Sequence, residues 1–221
     1  MEGIDRFMQG QSEVMIGTGE IRLPGLLAVP EGARGIVLFA HGSGSSRLSR
    51  RNNYVASVLH EAGLATLLFD LLSESEALDR RNVFDIDLLA SRLLLATHWV
   101  LEQPELASMR IGYFGASTGA AAALKASVAS PVSIGAIVSR GGRPDMAAEV
   151  LDRVTSPTLI IVGGNDYGVI ELNEAAYRML RCEKEFVIVP GATHLFEEPG
   201  TLEEVARLAR EWFTGHLIKK G

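Results

Sequence analysis

From about residue 35 onward, short apolar runs alternate with amphipathic stretches long enough to be helices, and few architectures accept that rhythm. Six runs read as strands, at 35–40, 64–69, 110–114, 134–139, 158–162 and 185–189. Between and after them lie helical patterns at 50–61, 83–101, 118–129, 146–151, 170–181 and 202–217, each able to carry the chain back across a sheet face. The pattern predicts an α/β fold with a mostly parallel sheet and helices on both faces. Two earlier segments, 13–18 and 21–29, meet near Gly19 with no helix between them, so they predict an antiparallel hairpin that brings the sheet to eight strands. Pro24 weakens the second, because proline is tolerated mainly at sheet edges and bulges.

With 221 residues, 47% of them hydrophobic, the chain is the size of one domain with a substantial core. No repeat or Pro/Gly/Ser-rich linker divides it, so residues 1–221 are read as a single domain. A net charge of −6 with scattered arginines argues against a nucleic-acid surface. Cys182 stands alone, which removes an intrachain disulfide and a thiolate metal cage and suits a reducing cytoplasm. The amino terminus lacks an apolar signal-peptide core, and no apolar run approaches the roughly 18 residues of a membrane span, so no membrane partner and a cytoplasmic location are expected. The acidic stretch at 74–87 reads as a solvated loop entering the long helix. The last helix has acids at its start and Lys219 and Lys220 at its end, matching the helix dipole.

Chemistry concentrates in four places. Gly115-Ala116-Ser117-Thr118-Gly119 follows an apolar strand and precedes an alanine-rich helix, the strand-turn-helix setting of a nucleophile elbow. At such an elbow the serine is held in strained backbone while strand and helix pass closely, so side chains at 115 or 119 would collide. A serine hydroxyl needs a positioned base, and histidine suits that task at neutral pH. His60, His98 and His216 fall within helical patterns and read as structural, whereas His194 follows the last strand in Pro190-Gly-Ala-Thr-His194, where parallel sheets present ligand-facing groups. The orienting acid belongs between nucleophile and base, also after a strand. Asp166 meets both conditions, with Glu171 as a weaker substitute.

A tetrahedral intermediate needs two backbone donors. The N–H of Thr118 is one candidate, and Ser43, in the loop His41-Gly-Ser-Gly-Ser-Ser46 after the third strand, is the other. That loop lacks the later glycine of a dinucleotide fingerprint and the lysine of a P-loop. His41 reads as a structural loop residue and Cys182, at a helix end, as a bystander. Arg47, Arg140 and Arg143 read first as surface or scaffold arginines and second as candidates to pair with an acidic substrate group.

Taken in order, Phe39-Ala-His-Gly-Ser-Gly-Ser-Ser46, Gly112-Tyr-Phe-Gly-Ala-Ser-Thr-Gly119, Gly163-Gly-Asn-Asp166 and Pro190-Gly-Ala-Thr-His194 resemble the dienelactone-hydrolase-like branch of the α/β-hydrolases, from about residue 20 to the carboxyl end. The resemblance implies an α/β-hydrolase fold and a Ser117, Asp166, His194 triad working without metal or organic cofactor. The chain also resembles hydrolase domains fused to phosphoribosyltransferases, although it leaves no visible room for that partner domain. Dienelactone hydrolases proper carry cysteine at the elbow, and serine here favours ordinary ester hydrolysis. The segment at 140–156 is too short for a large cap domain, so an open site for a small-molecule ester, short-acyl, aryl or thioester, is expected. A binding protein, or a lyase or acyltransferase on the same fold, is the competing class; monomer and homodimer are both compatible with the sequence.

Overall fold

A computed structural model describes residues 10–17, 19 and 21–218. The expectations for the amino-terminal segment, Thr18, Lys219 and Lys220 lie outside the described residues. Eight strands form one sheet in the order β1-β2-β4-β3-β5-β6-β7-β8. These are β1 (Gln11–Ile16), β2 (Leu23–Ala28), β3 (Gly35–Ala40), β4 (Ala65–Phe69), β5 (Arg110–Ala116), β6 (Ala136–Arg140), β7 (Thr158–Gly163) and β8 (Lys184–Val189). The β1–β2 hairpin is antiparallel, β2 meets β4 antiparallel, and every pairing from β4 through β8 is parallel.

The helices are α1 (Arg50–Glu61), α2 (Glu74–Ala77), α3 (Ile86–Glu102), α4 (Thr118–Ala129), α5 (Tyr167–Met179) and α6 (Thr201–Leu217). Strand alternation sorts the core onto two faces. From β3, Ile36 and Leu38 pack under α3 and α4 with Leu93 and Leu124, while Val37 and Phe39 pack under α1 and α6 with Leu59 and Phe213. Gly112 gives up its side chain for this second layer, since a Cβ there would lie 2.8 Å from the Phe213 ring.

Four readings change. Pro24 sits in an internal strand, near its start, where its carbonyl accepts from the Asp70 N–H and its missing N–H costs little of the ladder. β1 ends at Ile16 because Gly17 turns with φ +94°, and a Cβ there would lie 2.4 Å from the Ile21 carbonyl oxygen. The acidic stretch is not a plain loop: it folds as α2 and a 3₁₀ turn, Asn82–Phe84. Ser73 and Glu76 form a reciprocal capping box, and Glu76 also binds Arg92 of α3. Finally, the short helix expected at 146–151 is a 3₁₀ segment, Pro144–Arg153, kinked at Ala147. It adds no cap domain.

β3 lies between β4 and β5, so the chain runs one way along the sheet from β3 to β4 and then reverses past β3 to β5. The carboxyl ends of β3 and β5 therefore flank the switch point, where open α/β sheets leave a crevice.

Candidate active site

Ser117 leaves β5 at that crevice with φ 52° and ψ −123°, a backbone conformation that side chains other than glycine rarely adopt. Close packing holds it there. A Cβ on Gly115 would lie 2.4 Å from the Ala120 Cα, and one on Gly119 would lie 2.0 Å from the Ala40 carbonyl oxygen. Both glycines of the motif are thus required by sterics. Two backbone bonds tie the turn to the neighbouring strand end: the Ser117 N–H donates to the Arg140 carbonyl at 3.3 Å, and the Arg143 N–H donates to the Ser117 carbonyl at 3.1 Å. Ser117 is also the N-cap position of α4, yet its hydroxyl makes no capping bond, which leaves it for other chemistry.

Asp166 and His194 arrive on two turns stitched together. The Gly164 N–H donates to Val189, the Asn165 N–H to Ala192 and the Asn165 side-chain amide to Gly191. Gly163 allows the approach, since a Cβ there would lie 2.5 Å from the Ala192 carbonyl oxygen. Across this seam Nδ1 of His194 donates to Oδ2 of Asp166 at 2.7 Å. On the other side of His194, Glu198 receives both the N–H and hydroxyl of Thr193, and buried Phe196 takes a positive φ of 54°. The imidazole lies beside Gly141, where a Cβ would be 3.6 Å from its Cε1. Gly141 follows Arg140, whose carbonyl holds Ser117, so serine and imidazole occupy adjoining positions. No hydrogen bond joins His194 to the Ser117 hydroxyl among the described residues; such bonds often tighten only with substrate bound. Glu171 lies exposed on α5 and makes no bond to His194.

The loop after β3 reaches the nucleophile directly. A Cβ on Gly42 would lie 2.9 Å from the Cβ of Ser117 and 3.6 Å from its Oγ, and Ser43 comes next in the chain. His41 clamps this loop: its Nε2 accepts from the Leu71 N–H at 3.0 Å, which leaves Nδ1 as the donor to the Gly42 carbonyl at 2.9 Å. Burial lowers its pKa below the usual 6.5, against opposing contributions from Gly42 and Asp70. The sequence marks His41 as structural without revealing that it ties the loop to the end of β4.

A cavity of about 870 Å³ opens beside the loop, lined by Ser43, Thr118, Arg47, Asp70, Ser73 and Leu72 among others. Its far wall is the acidic stretch around α2, whose Ser73-x-x-Glu76 capping signal is legible in the sequence.

The three arginines are engaged by the protein. Arg47 pairs with Asp70 at 2.5 Å and Arg143 with Asp145 at 2.7 Å. Arg140 is buried, with Asn52 as a 3.3 Å partner, and burial followed by the nearby Arg51 charge lowers its pKa to about 10. Cys182 lies 3.7 Å from Thr158, at the first residue of β7 and so at the opposite end of the sheet. His60, His98 and His216 sit on helices, as their periodicity predicts. Among the described residues, no group of three or more His, Cys, Asp or Glu side chains converges as a metal site requires, and no helix is long and apolar enough to cross a membrane.

No family model matches the chain. It is 58% identical over 209 residues to a Mycobacterium tuberculosis H37Rv protein provisionally called a phosphoribosyl transferase, covering 95% of this chain and 47% of that one. The chain thus spans about half the length of the curated relatives it matches. The solved structure of Est1E from Butyrivibrio proteoclasticus shares the fold, at TM-score 0.79 and 18% identity over 92% of this chain and 98% of that one. Dienelactone hydrolase from Anabaena variabilis superimposes with TM-score 0.90 at 54% identity, covering 95% of this chain and 100% of that structure. With this match over the relative's whole length, the chain belongs to the dienelactone-hydrolase-like branch of the α/β-hydrolases.

Proposed function

We propose that this chain is a serine carboxylesterase acting on small or short-acyl esters through an acyl-enzyme on Ser117. The observation that carries the reading is the 2.7 Å bond from His194 to Asp166, beside a serine in strained elbow geometry. With its Nδ1 proton committed to Asp166, His194 exposes an unprotonated Nε2 as general base. Nε2 takes the Ser117 proton as Oγ attacks the ester carbonyl, and the oxyanion accepts from the Thr118 and Ser43 N–H groups. Collapse expels the alcohol, which takes the proton back from His194. Water then repeats the cycle on the acyl-enzyme: His194 deprotonates it, the carboxylic acid leaves, and Ser117 recovers its proton.

Serine at the elbow supports ester over lactone hydrolysis, and the cavity has room for an aryl group. Hydrolase chemistry is supported by a relative matched over its full length, the transferase label by relatives matched over less than half of theirs. We therefore assign this chain the former.

Hydrolysis of p-nitrophenyl esters from acetate to decanoate by wild type, Ser117→Ala and Cys182→Ala tests the reading. Wild type and Cys182→Ala are expected to turn over, fastest on the shorter chains, while Ser117→Ala is inert. An inert wild type, or an active Ser117→Ala, overturns the assignment.

A further inference from the structure

Thr118 carries a second donor besides its backbone N–H, and the fold leaves that donor unused. The residue is only 2% exposed, and its Oγ1 is buried with no hydrogen-bond partner among the described residues. Two other fully buried threonine hydroxyls are satisfied: Thr97 Oγ1 donates to the Leu93 carbonyl, and Thr158 Oγ1 donates to the Ser156 carbonyl. Leaving a buried hydroxyl unpaired is costly, and native structures concentrate such groups where something else supplies the partner. Thr66 and Ser139 are also unpaired, but neither lines the cavity beside Ser43. Thr118 does.

Covalent geometry keeps a threonine's N and Oγ about 3–4 Å apart, so one residue can aim two donors at one oxygen. Thr118 is also the first residue of the twelve-residue helix α4, whose amino terminus favours negative charge. We propose that the Thr118 hydroxyl is a third hydrogen-bond donor to the substrate oxygen on which negative charge grows as Ser117 attacks. No proton is transferred: Oγ1 keeps its hydrogen throughout, and the bond strengthens as the carbonyl becomes an oxyanion. The role rests on the serine-hydrolase reading and assigns the side chain a function separate from the backbone N–H.

The test uses p-nitrophenyl acetate with Thr118→Val, Thr118→Ala and Thr118→Ser in the intact chain, alongside phosphonylation of Ser117 by a fluorophosphonate. Thr118→Val, which keeps shape but loses the hydroxyl, is expected to lower kcat about 10- to 100-fold with KM within about twofold. Its Tm should hold or rise, because an unpaired polar group has been removed. Thr118→Ser should recover kcat to within a few-fold, and should exceed Thr118→Ala by the same margin if the valine variant folds poorly. Unchanged kcat in valine or alanine variants, or an effect confined to KM, overturns the proposal while wild-type turnover and Ser117 labelling leave the hydrolase reading intact. A wild type that neither turns over nor labels overturns both.

Discussion

Asp166 Oδ2 accepts from His194 Nδ1 at 2.7 Å, and this bond joins the turn after β7 to the turn after β8. The Asp166 side chain is 16% exposed and that of His194 39%, so the acid is sheltered while the imidazole stays open to a reacting partner. Asp166→Asn preserves size but presents an amide where an acceptor is needed, favouring the tautomer with the proton on Nε2. Esterase kcat should fall by roughly 10³- to 10⁴-fold. Tm should change by no more than a few degrees, because Asn165 and the backbone bonds of the seam are untouched. Steady-state kinetics with a thermal melt of the same sample checks both.

Gly42→Ala separates geometry from stability. The new Cβ would meet the Ser117 Cβ at 2.9 Å and the Ala116 carbonyl oxygen at 3.2 Å, so either the loop or the nucleophile must move. A displacement of a few tenths of an ångström at the reacting atom is expected to cost about tenfold or more in kcat. The β3–β5 pairing beneath should hold. Activity collapsing together with a large fall in Tm would show instead that Gly42 is needed for folding.

What the sequence discloses and what it hides follow from the range of the physics involved. β3 and α1 are legible to the residue, because a fully buried strand and a Ser49-capped helix are written in local pattern. The elbow is legible because Gly115 and Gly119 serve local sterics. The fit of Asp166 to His194 is legible only as chain order; the stitching by Asn165 and Gly163 is a tertiary fact with no periodic signal. Pro24 misleads because strand position in the sheet is not local information; the arginines are scaffold residues as read, but the partners of Arg47 and Arg140, Asp70 and Asn52, come from other elements and leave no local signal.

His41 predicts a pH effect of definite sign. Its folded pKa lies below the 6.5 expected of an unfolded chain, with burial the largest cause. The unfolded state therefore takes up this proton first as pH falls. The His41 contribution to stability is complete above about pH 6.5 and is lost as pH drops toward the folded pKa, at up to about 1.4 kcal/mol per pH unit for one proton. His41→Gln should lower stability at pH 7.5, by loosening the link between Gly42 and Leu71, and flatten the decline toward pH 5. Denaturant melts of the two proteins at a series of pH values check the difference in slope, which cancels the other titrating groups.

Arg140 tests how the site bears an uncompensated charge. Arg140 is 6% exposed; its guanidinium lies 5.8 Å over the Phe196 ring and bonds neutral Asn52 rather than a carboxylate, and its Nε has no partner among the described residues. Removing a cation from water costs several kcal/mol, and a 3.3 Å bond to an amide returns little of it. Arg140→Met keeps most of the buried stem and gives up the charge. The loss of a partner for Asn52 Oδ1 offsets part of the gain, at about 1–3 kcal/mol. The balance predicts a Tm raised by about 2–4 °C for a chain of this size. Phe196 holds a positive φ two residues from His194, so loosening its packing should lower kcat even as the protein melts later. A thermal melt alone decides the first half: a fall of several degrees would mean that Arg140 is stabilised by more than Asn52 and Phe196.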